Sequence, residues 1–307
     1  MKIVVTDKID INTDATEKLK QLPATVFEDV PKTEEEIIAR AKDAEIITAN
    51  YIDITPKIID ACPKLKYIIV PAVGYEWVDY KYAASKGIKV INSPTHNSPA
   101  VAEHAIALMF AAVRHLYPAQ ASLQAGKWQN RDFRGIELHG KKLGLIGYGR
   151  IGKNIEGMAA GLGMDCSYVN SKSTPGDVDA LLCNSDVVAV CVALNDATRG
   201  LLDARRLGLL KPTAYLVNVA RGAIIDQAAL LQLLRDNKIA GAGLDVFADE
   251  PLVGEPDEAI VELAKLPNVA ATSHIAYNTQ ETTLRLGEEI YANVVACLNG
   301  QLQNVVN

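Results

Sequence analysis

The chain has 307 residues, which at one domain per roughly 100–200 residues points to two domains. Lys and Arg total 31 against 37 Asp and Glu, a net charge of -6, which argues against a nucleic-acid or polyanion binder. Hydrophobic residues at 49% and charged residues at 22% exclude a disordered chain.

The opening MKIVVTD reads as a strand rather than a signal peptide. Short β-rich runs follow at 2–6, 24–30, 45–50, 67–72 and 89–93, separated by segments of helical spacing. Such alternation implies βαβ units and a parallel sheet. The stretch NSPTHNSPA (92–100), dense in Asn, Ser, Thr and Pro, reads as a loop and a domain boundary. An Ala-rich helix at 100–116, apolar over most of its circumference, should be buried. His104 and His115 on it are expected to pack or pair, and His96 and His139 to lie in loops without metal-like partners. Residues 118–140 lack a clear period and read as a surface excursion or arm.

A second α/β series begins at 141, with six strand-like runs and intervening helices that match a doubly wound sheet. An amphipathic helix spans 279–300. No apolar run approaches the ~20 residues that cross a bilayer. The five cysteines show no metal-type spacing and read mostly as buried thiols of a cytoplasmic protein; no metal, nucleic-acid or membrane partner is expected.

Gly147-Tyr148-Gly149-Arg150-Ile151-Gly152 follows the strand KLGLI and opens a helical segment. In a dinucleotide fold the first glycine makes the turn, the second admits a pyrophosphate, and the third packs helix on strand. The helix N-terminus then offers free N–H groups to the phosphates. A nucleotide-triphosphate loop fits less well, because Asn154 stands where Ser or Thr should bind magnesium. The next strand ends in Asn170-Ser171-Lys172-Ser173, with no carboxylate for a ribose 2′-hydroxyl. Asn, Ser and Lys there suit a 2′-phosphate, so NADP(H) is expected over NAD. Arg221, Asp245, Glu250 and His274 stand at or just after apolar strands, where open α/β sheets bind ligands.

The motifs NSPAVAEHAIALM, HGKKLGLIGYGRIG, NVARG, GAGLDVFADEP and LPNVAATSHIA occur in that order along essentially the whole chain. In this the sequence resembles the D-isomer-specific 2-hydroxyacid dehydrogenase family, which includes glyoxylate/hydroxypyruvate reductases and phosphoglycerate dehydrogenases. The resemblance implies an α/β protein of two Rossmann-like domains with doubly wound parallel sheets. Residues 99–276, the dinucleotide-binding domain, would be inserted in a flavodoxin-like substrate domain of 1–98 plus 277–307. It also implies roles. Arg221 would bind the substrate carboxylate and 2-oxo group, His274 would be the acid/base, and Glu250 would orient His274 and favour its protonated form. Asp245 would hold the nicotinamide carboxamide, and the N–H groups of Val73 and Gly74 the substrate carboxylate, with Tyr51 lining the pocket. Val101, Ala193, Thr198, Val219 and Ala276 would join the glycine loop around the cofactor.

The implied activity is reduction of a small 2-oxo acid to the D-2-hydroxy acid by a homodimer. Several positions depart from the pattern. Asn170 replaces the ribose acid, Ala193 a frequent Pro, and Ala276-Tyr277 a glycine pair. Tyr51 and Trp77 suit either a larger, apolar substrate side chain or simple packing. Phosphite-type oxidation on the same scaffold, or a dinucleotide-sensing corepressor-like protein, are the alternatives.

Overall fold

A computed structural model describes residues 1–251 and 254–307. The chain divides into two compact units, one of Met1–Asn97 with Asn278–Asn307 and one of Ser98–Tyr277. Both are α/β with a single all-parallel sheet.

The first unit carries strands β1 (Ile3–Val5), β2 (Ala24–Val26), β3 (Ile46–Thr48), β4 (Tyr67–Ile69) and β5 (Lys89–Ile91), in the order β2-β1-β3-β4-β5. Its helices are α1 (Thr13–Lys20), α2 (Glu34–Ala41), α3 (Pro56–Ala61), α4 (Tyr80–Ser85) and the last helix of the chain, α12 (Gln280–Asn299). Successive side chains of a strand face opposite ways, so each sheet feeds two cores. Ile3, Ile46, Ile69 and Ile91 pack with Leu286, Ile290 and Val294 of α12. Val4, Ile47, Ile68 and Val90 pack on the other face with Ile37 and Ile58.

The second unit carries β6 (Lys142–Ile146), β7 (Asp165–Val169), β8 (Val187–Val190), β9 (Tyr215–Asn218), β10 (Gly241–Leu244) and β11 (Val269–Ala271). Their order is β11-β10-β9-β8-β6-β7. The inner strands β8, β9 and β10 are buried throughout, as a sheet covered on both faces requires. Its helices are α5 (Ser98–Val113), α6 (Leu116–Gln124), α7 (Arg150–Gly161), α8 (Pro175–Asn184), α9 (Ala204–Leu207), α10 (Gln227–Arg235) and α11 (Glu258–Lys265). In each sheet the first strand is flanked by the second on one side and the third on the other. The order of winding therefore reverses beside β1 and beside β6, the points at which open α/β sheets bind ligands at the carboxyl ends of their strands.

Local chemistry starts most of these helices. Thr33, Asp226, Asp257 and Thr279 accept a backbone N–H in the first turn of their helices, each worth about 1 kcal/mol. Thr174 and Asp177 form a reciprocal capping box on α8.

The elements differ from the sequence expectation in three places. The helix expected at 100–116 begins at Ser98, inside the expected loop, and stops at Val113 because His115 adopts φ 52. Within 118–140, residues to Gln124 belong to α6, which buries no residue and leaves Leu116, Tyr117 and Leu123 exposed. Of the five cysteines, all unbridged, Cys62 and Cys297 are buried, whereas Cys183 is exposed and Cys166 and Cys191 are half-buried. No helix among the described residues is long and apolar enough to cross a membrane.

Candidate active site

The glycine loop joins β6 to α7 at the strand reversal of the second unit. Gly147 has φ 104, and a Cβ there would lie 2.7–2.8 Å from the backbone of Cys191 and Val192. A Cβ on Gly152 would lie 2.5 Å from the Gly147 carbonyl oxygen. A Cβ on Gly149 would meet nothing within 4 Å. The outer glycines are thus demanded by the protein's own packing, and the middle one leaves open space at a helix end. Gly149 caps α7 without a side chain, so the first N–H groups behind Arg150 and Ile151 are left for another acceptor. This is the cradle a pyrophosphate needs, and the residues present fit one.

Beyond β7 the chain turns tightly. Asn170 Oδ1 accepts from Lys172 N at 2.9 Å, and Ser173 Oγ from Asn170 N at 3.1 Å. Asn170, Ser171 and Lys172 are exposed, and the nearby Asp177 carboxylate is spent on capping Thr174. Thr198 Oγ1 donates to the Ala193 carbonyl at 2.7 Å and closes the loop after β8. Val101, Val219 and Ala276 are buried in one apolar cluster, so they offer shape rather than polar contacts.

The polar residues follow three neighbouring strands. After β9, Asn218 folds the chain back on itself. Its Oδ1 accepts from Ala220 N and its Nδ2 donates to the Arg221 carbonyl, both at 3.1 Å. Arg221 Nη1 donates to the Ala220 carbonyl at 2.8 Å. Gly222 lies against the loop after β10, where a Cβ would come within 1.8 Å of the Phe247 carbonyl carbon. That loop is tied by Ala248 N donating to Gln227 Oε1 at 2.8 Å and turns through Asp249 at φ 55. Glu250 follows. Its Oε1 accepts from Phe247 N at 2.5 Å, and its Oε2 lies 2.6 Å from His274 Nδ1. A carboxylate can only accept, so Nδ1 carries hydrogen and Nε2 is the nitrogen left for chemistry. His274 is 40% exposed in its side chain, and Tyr277 stands edge-on to it with ring centroids 6.1 Å apart.

Asp245 is fully buried. Burial pushes its carboxyl up, but hydrogen bonds from His104, Thr272 and the N–H groups of Ile275 and Ala276 outweigh that and hold it at about 2. His104, expected only to pack or pair on its apolar helix, joins this cluster through Thr272, a residue the sequence reading passed over. A polar side chain on a buried helix and a hydroxyl two residues before His274 were the available signals.

In the first unit, Asp7 lies two residues beyond β1 at the point where the strand order reverses and accepts from Tyr51 N at 2.6 Å and from Asn50 N. Burial raises its carboxyl above the usual value despite these bonds. Tyr51 also donates from its hydroxyl to Asp10 at 3.2 Å. Trp77 packs half-buried with Nε1 bonded to the Ala49 carbonyl at 3.1 Å. Asn92 Nδ2 donates to the Val73 carbonyl at 2.8 Å and holds the turn that leads to Gly74.

A glycine-loop α/β unit with a histidine–carboxylate pair beyond its strands defines an oxidoreductase of the dinucleotide-binding class. The chain belongs to the D-isomer specific 2-hydroxyacid dehydrogenase family, whose NAD binding domain matches residues 106–276. It is 37% identical over 282 residues to a glycerate dehydrogenase of Methylorubrum extorquens, covering 89% of each chain. An acyclic imino acid reductase (Bsp5), solved with NADPH and D-Arg, superposes with TM-score 0.91 at 30% identity over 100% of both chains. A D-lactate dehydrogenase of Aquifex aeolicus, solved with NAD and lactic acid, gives TM-score 0.86 at 29% identity over 100% of this chain and 99% of that one.

Proposed function

We propose that the protein reduces a small 2-oxo acid to the D-2-hydroxy acid with NADPH. The observation that carries this reading is the Glu250–His274 pair at 2.6 Å. Reduction of a ketone needs a proton at the oxygen, and a histidine held through Nδ1 is a suitable donor from Nε2. When bound, the nicotinamide supplies the hydride. Arg221 binds the carboxylate and 2-oxo group with its planar fork. In this reading the family resemblance adds the N–H groups of Val73 and Gly74 as carboxylate donors and Tyr51 as a side-chain-pocket residue.

The glycine loop and α7 take the pyrophosphate, with Val101, Ala193, Thr198, Val219 and Ala276 around the cofactor. The Ser98–Tyr277 unit is therefore the cofactor domain in this reading, and the Met1–Asn97 and Asn278–Asn307 unit the substrate domain. Lys172, Ser171 and the amide of Asn170 take the 2′-phosphate in a turn that presents no carboxylate. The glycerate dehydrogenase relative, together with a glyoxylate reductase of Pyrococcus furiosus and a hydroxypyruvate reductase of Thermotoga maritima among the similar proteins, supports hydroxypyruvate or glyoxylate as substrate. The reading extends to a cytoplasmic homodimer, in keeping with five unbridged cysteines.

The test is a panel of 2-oxo acids, from glyoxylate and hydroxypyruvate to phenylpyruvate, each with NADPH and NADH. An arm with added amine tests imine reduction, and one with phosphite and NADP⁺ tests phosphite oxidation. NADPH-driven reduction of a small oxo acid is expected. A preference for NADH of about tenfold in kcat/KM, ~1.4 kcal/mol, would overturn the cofactor reading.

A further inference from the structure

The turn that carries His274 hangs from one residue. His274 N donates to the backbone carbonyl of Asp245 at 2.7 Å. Ile275 N donates to its Oδ1 and Ala276 N to its Oδ2, both at 2.9 Å. Three consecutive N–H groups thus end on Asp245. His274 itself sits at φ 54, a left-handed conformation that costs a non-glycine residue free energy and persists only when its surroundings impose it.

Asp245 is oriented in turn. Thr272 Oγ1 donates to Asp245 Oδ1 at 2.6 Å. That hydroxyl has one proton and spends it on the carboxylate, so it can only accept from His104 Nε2, 2.9 Å away. His104 Nε2 therefore carries hydrogen, and it lies 3.4 Å from Asp245 Oδ1 as well. His104 belongs to α5, which packs so closely on β10 that a Cβ on Gly243 would come within 3.0 Å of Leu108 Cβ. The position of the buried helix is passed along a line of hydrogen bonds to the turn.

We propose that His104 and Thr272 are positioning residues for His274, acting through Asp245. They hold the carboxylate in the rotamer that receives the Ile275 and Ala276 N–H groups beside the His274 N–H on the Asp245 carbonyl, and the turn then presents the imidazole to Glu250 with Nε2 directed to the substrate oxygen. The family resemblance assigns Asp245 to the nicotinamide carboxamide; the bonds seen here give the same carboxylate a second duty inside the protein. The proposal rests on the reading of His274 as acid/base, and its test separates the two.

Thr272→Val removes the hydroxyl at nearly constant volume, and Thr272→Ser restores it. His104→Leu removes the donor, and His104→Gln places an amide N–H where Nε2 stood. Steady-state reduction is measured for these four and for His274→Ala, with the Kd of NADPH from its fluorescence. Thr272→Val and His104→Leu are expected to lower kcat about tenfold, with KM for the oxo acid and Kd for NADPH within about twofold of the parent. Thr272→Ser and His104→Gln are expected to recover kcat to within about threefold.

The proposal falls if the removing variants keep full kcat, if the restoring variants are equally slow, or if NADPH binding weakens in proportion to kcat. Should His104→Leu fail to fold, the Thr272 pair decides alone. An active His274→Ala sinks the acid/base reading itself. An inactive one beside fully active Thr272→Val and His104→Leu sinks only the positioning.

Discussion

Glu250 holds His274 with one oxygen and the Phe247 amide with the other, at 2.6 and 2.5 Å. The carboxylate is thereby fixed before any substrate arrives, and the imidazole has one nitrogen committed and one available. General acid catalysis from such a group is worth about 10²–10⁴-fold. His274→Ala and Glu250→Gln should lower kcat for reduction by about 100-fold or more, measured by NADPH oxidation. Unchanged kcat in both variants, with chemistry limiting, would speak against the assignment.

Arg221 depends on the fold made by Asn218 around Ala220. Losing a charge-assisted fork to a carboxylate costs about 3 kcal/mol, so Arg221→Ala should lower kcat/KM for the oxo acid about 100-fold. NADPH affinity should stay within about twofold, because in the proposed reading the side chain acts on the substrate and not on the cofactor. Equal loss of cofactor binding would place Arg221 elsewhere.

The turn at Asn170–Lys172 sets the cofactor prediction. Lys172→Asp puts a carboxylate where a 2′-phosphate is expected and a ribose hydroxyl would be welcomed. The ratio of kcat/KM for NADPH over NADH should fall by about tenfold or more. An unchanged ratio would show that the turn does not read the ribose.

Gly152 has no room for a methyl group, because a Cβ would sit 2.5 Å from a backbone oxygen. Gly152→Ala should destabilise the unit by about 1–3 kcal/mol and weaken dinucleotide binding, seen by thermal unfolding and by titration with NADPH. Gly157→Ala, at a helical position with nothing within 4 Å, is the control and should bind normally.

Asp245 provides the pH prediction for stability. Its carboxyl lies at about 2 in the folded protein against 3.8 for an ordinary one. The folded state therefore binds this proton less tightly, and the contribution, about 2 kcal/mol, is complete above pH ~4 and lost as pH falls through about 2. Asp245→Asn should be less stable at neutral pH, and the gap should close in acid; a gap constant with pH would contradict this. Asp7 works the other way. Its raised carboxyl withdraws stability as pH rises through the folded value.

What the sequence determined by itself is whatever rests on neighbours along the chain. Gly147, Gly149 and Gly152 are readable because a tight turn, an open helix end and a close packing contact fall within six residues. The two parallel sheets are readable because strands such as VVAV and YLVN, buried on both faces, are continuous apolar runs. Family motifs name Arg221, Glu250 and His274 in the same local way.

The tertiary structure decided the rest. Helix α6 is short, contains Pro118 and buries none of its residues, so its nine positions give the sequence little to read. Asp7 reaches Tyr51 across 44 positions and His104 reaches Thr272 across 168. A polar side chain's meaning lies in the partner that meets it. For His104 that partner arrives only when α5 is pressed against β10, because hydrogen bonds act over about 3 Å of space and not along the chain.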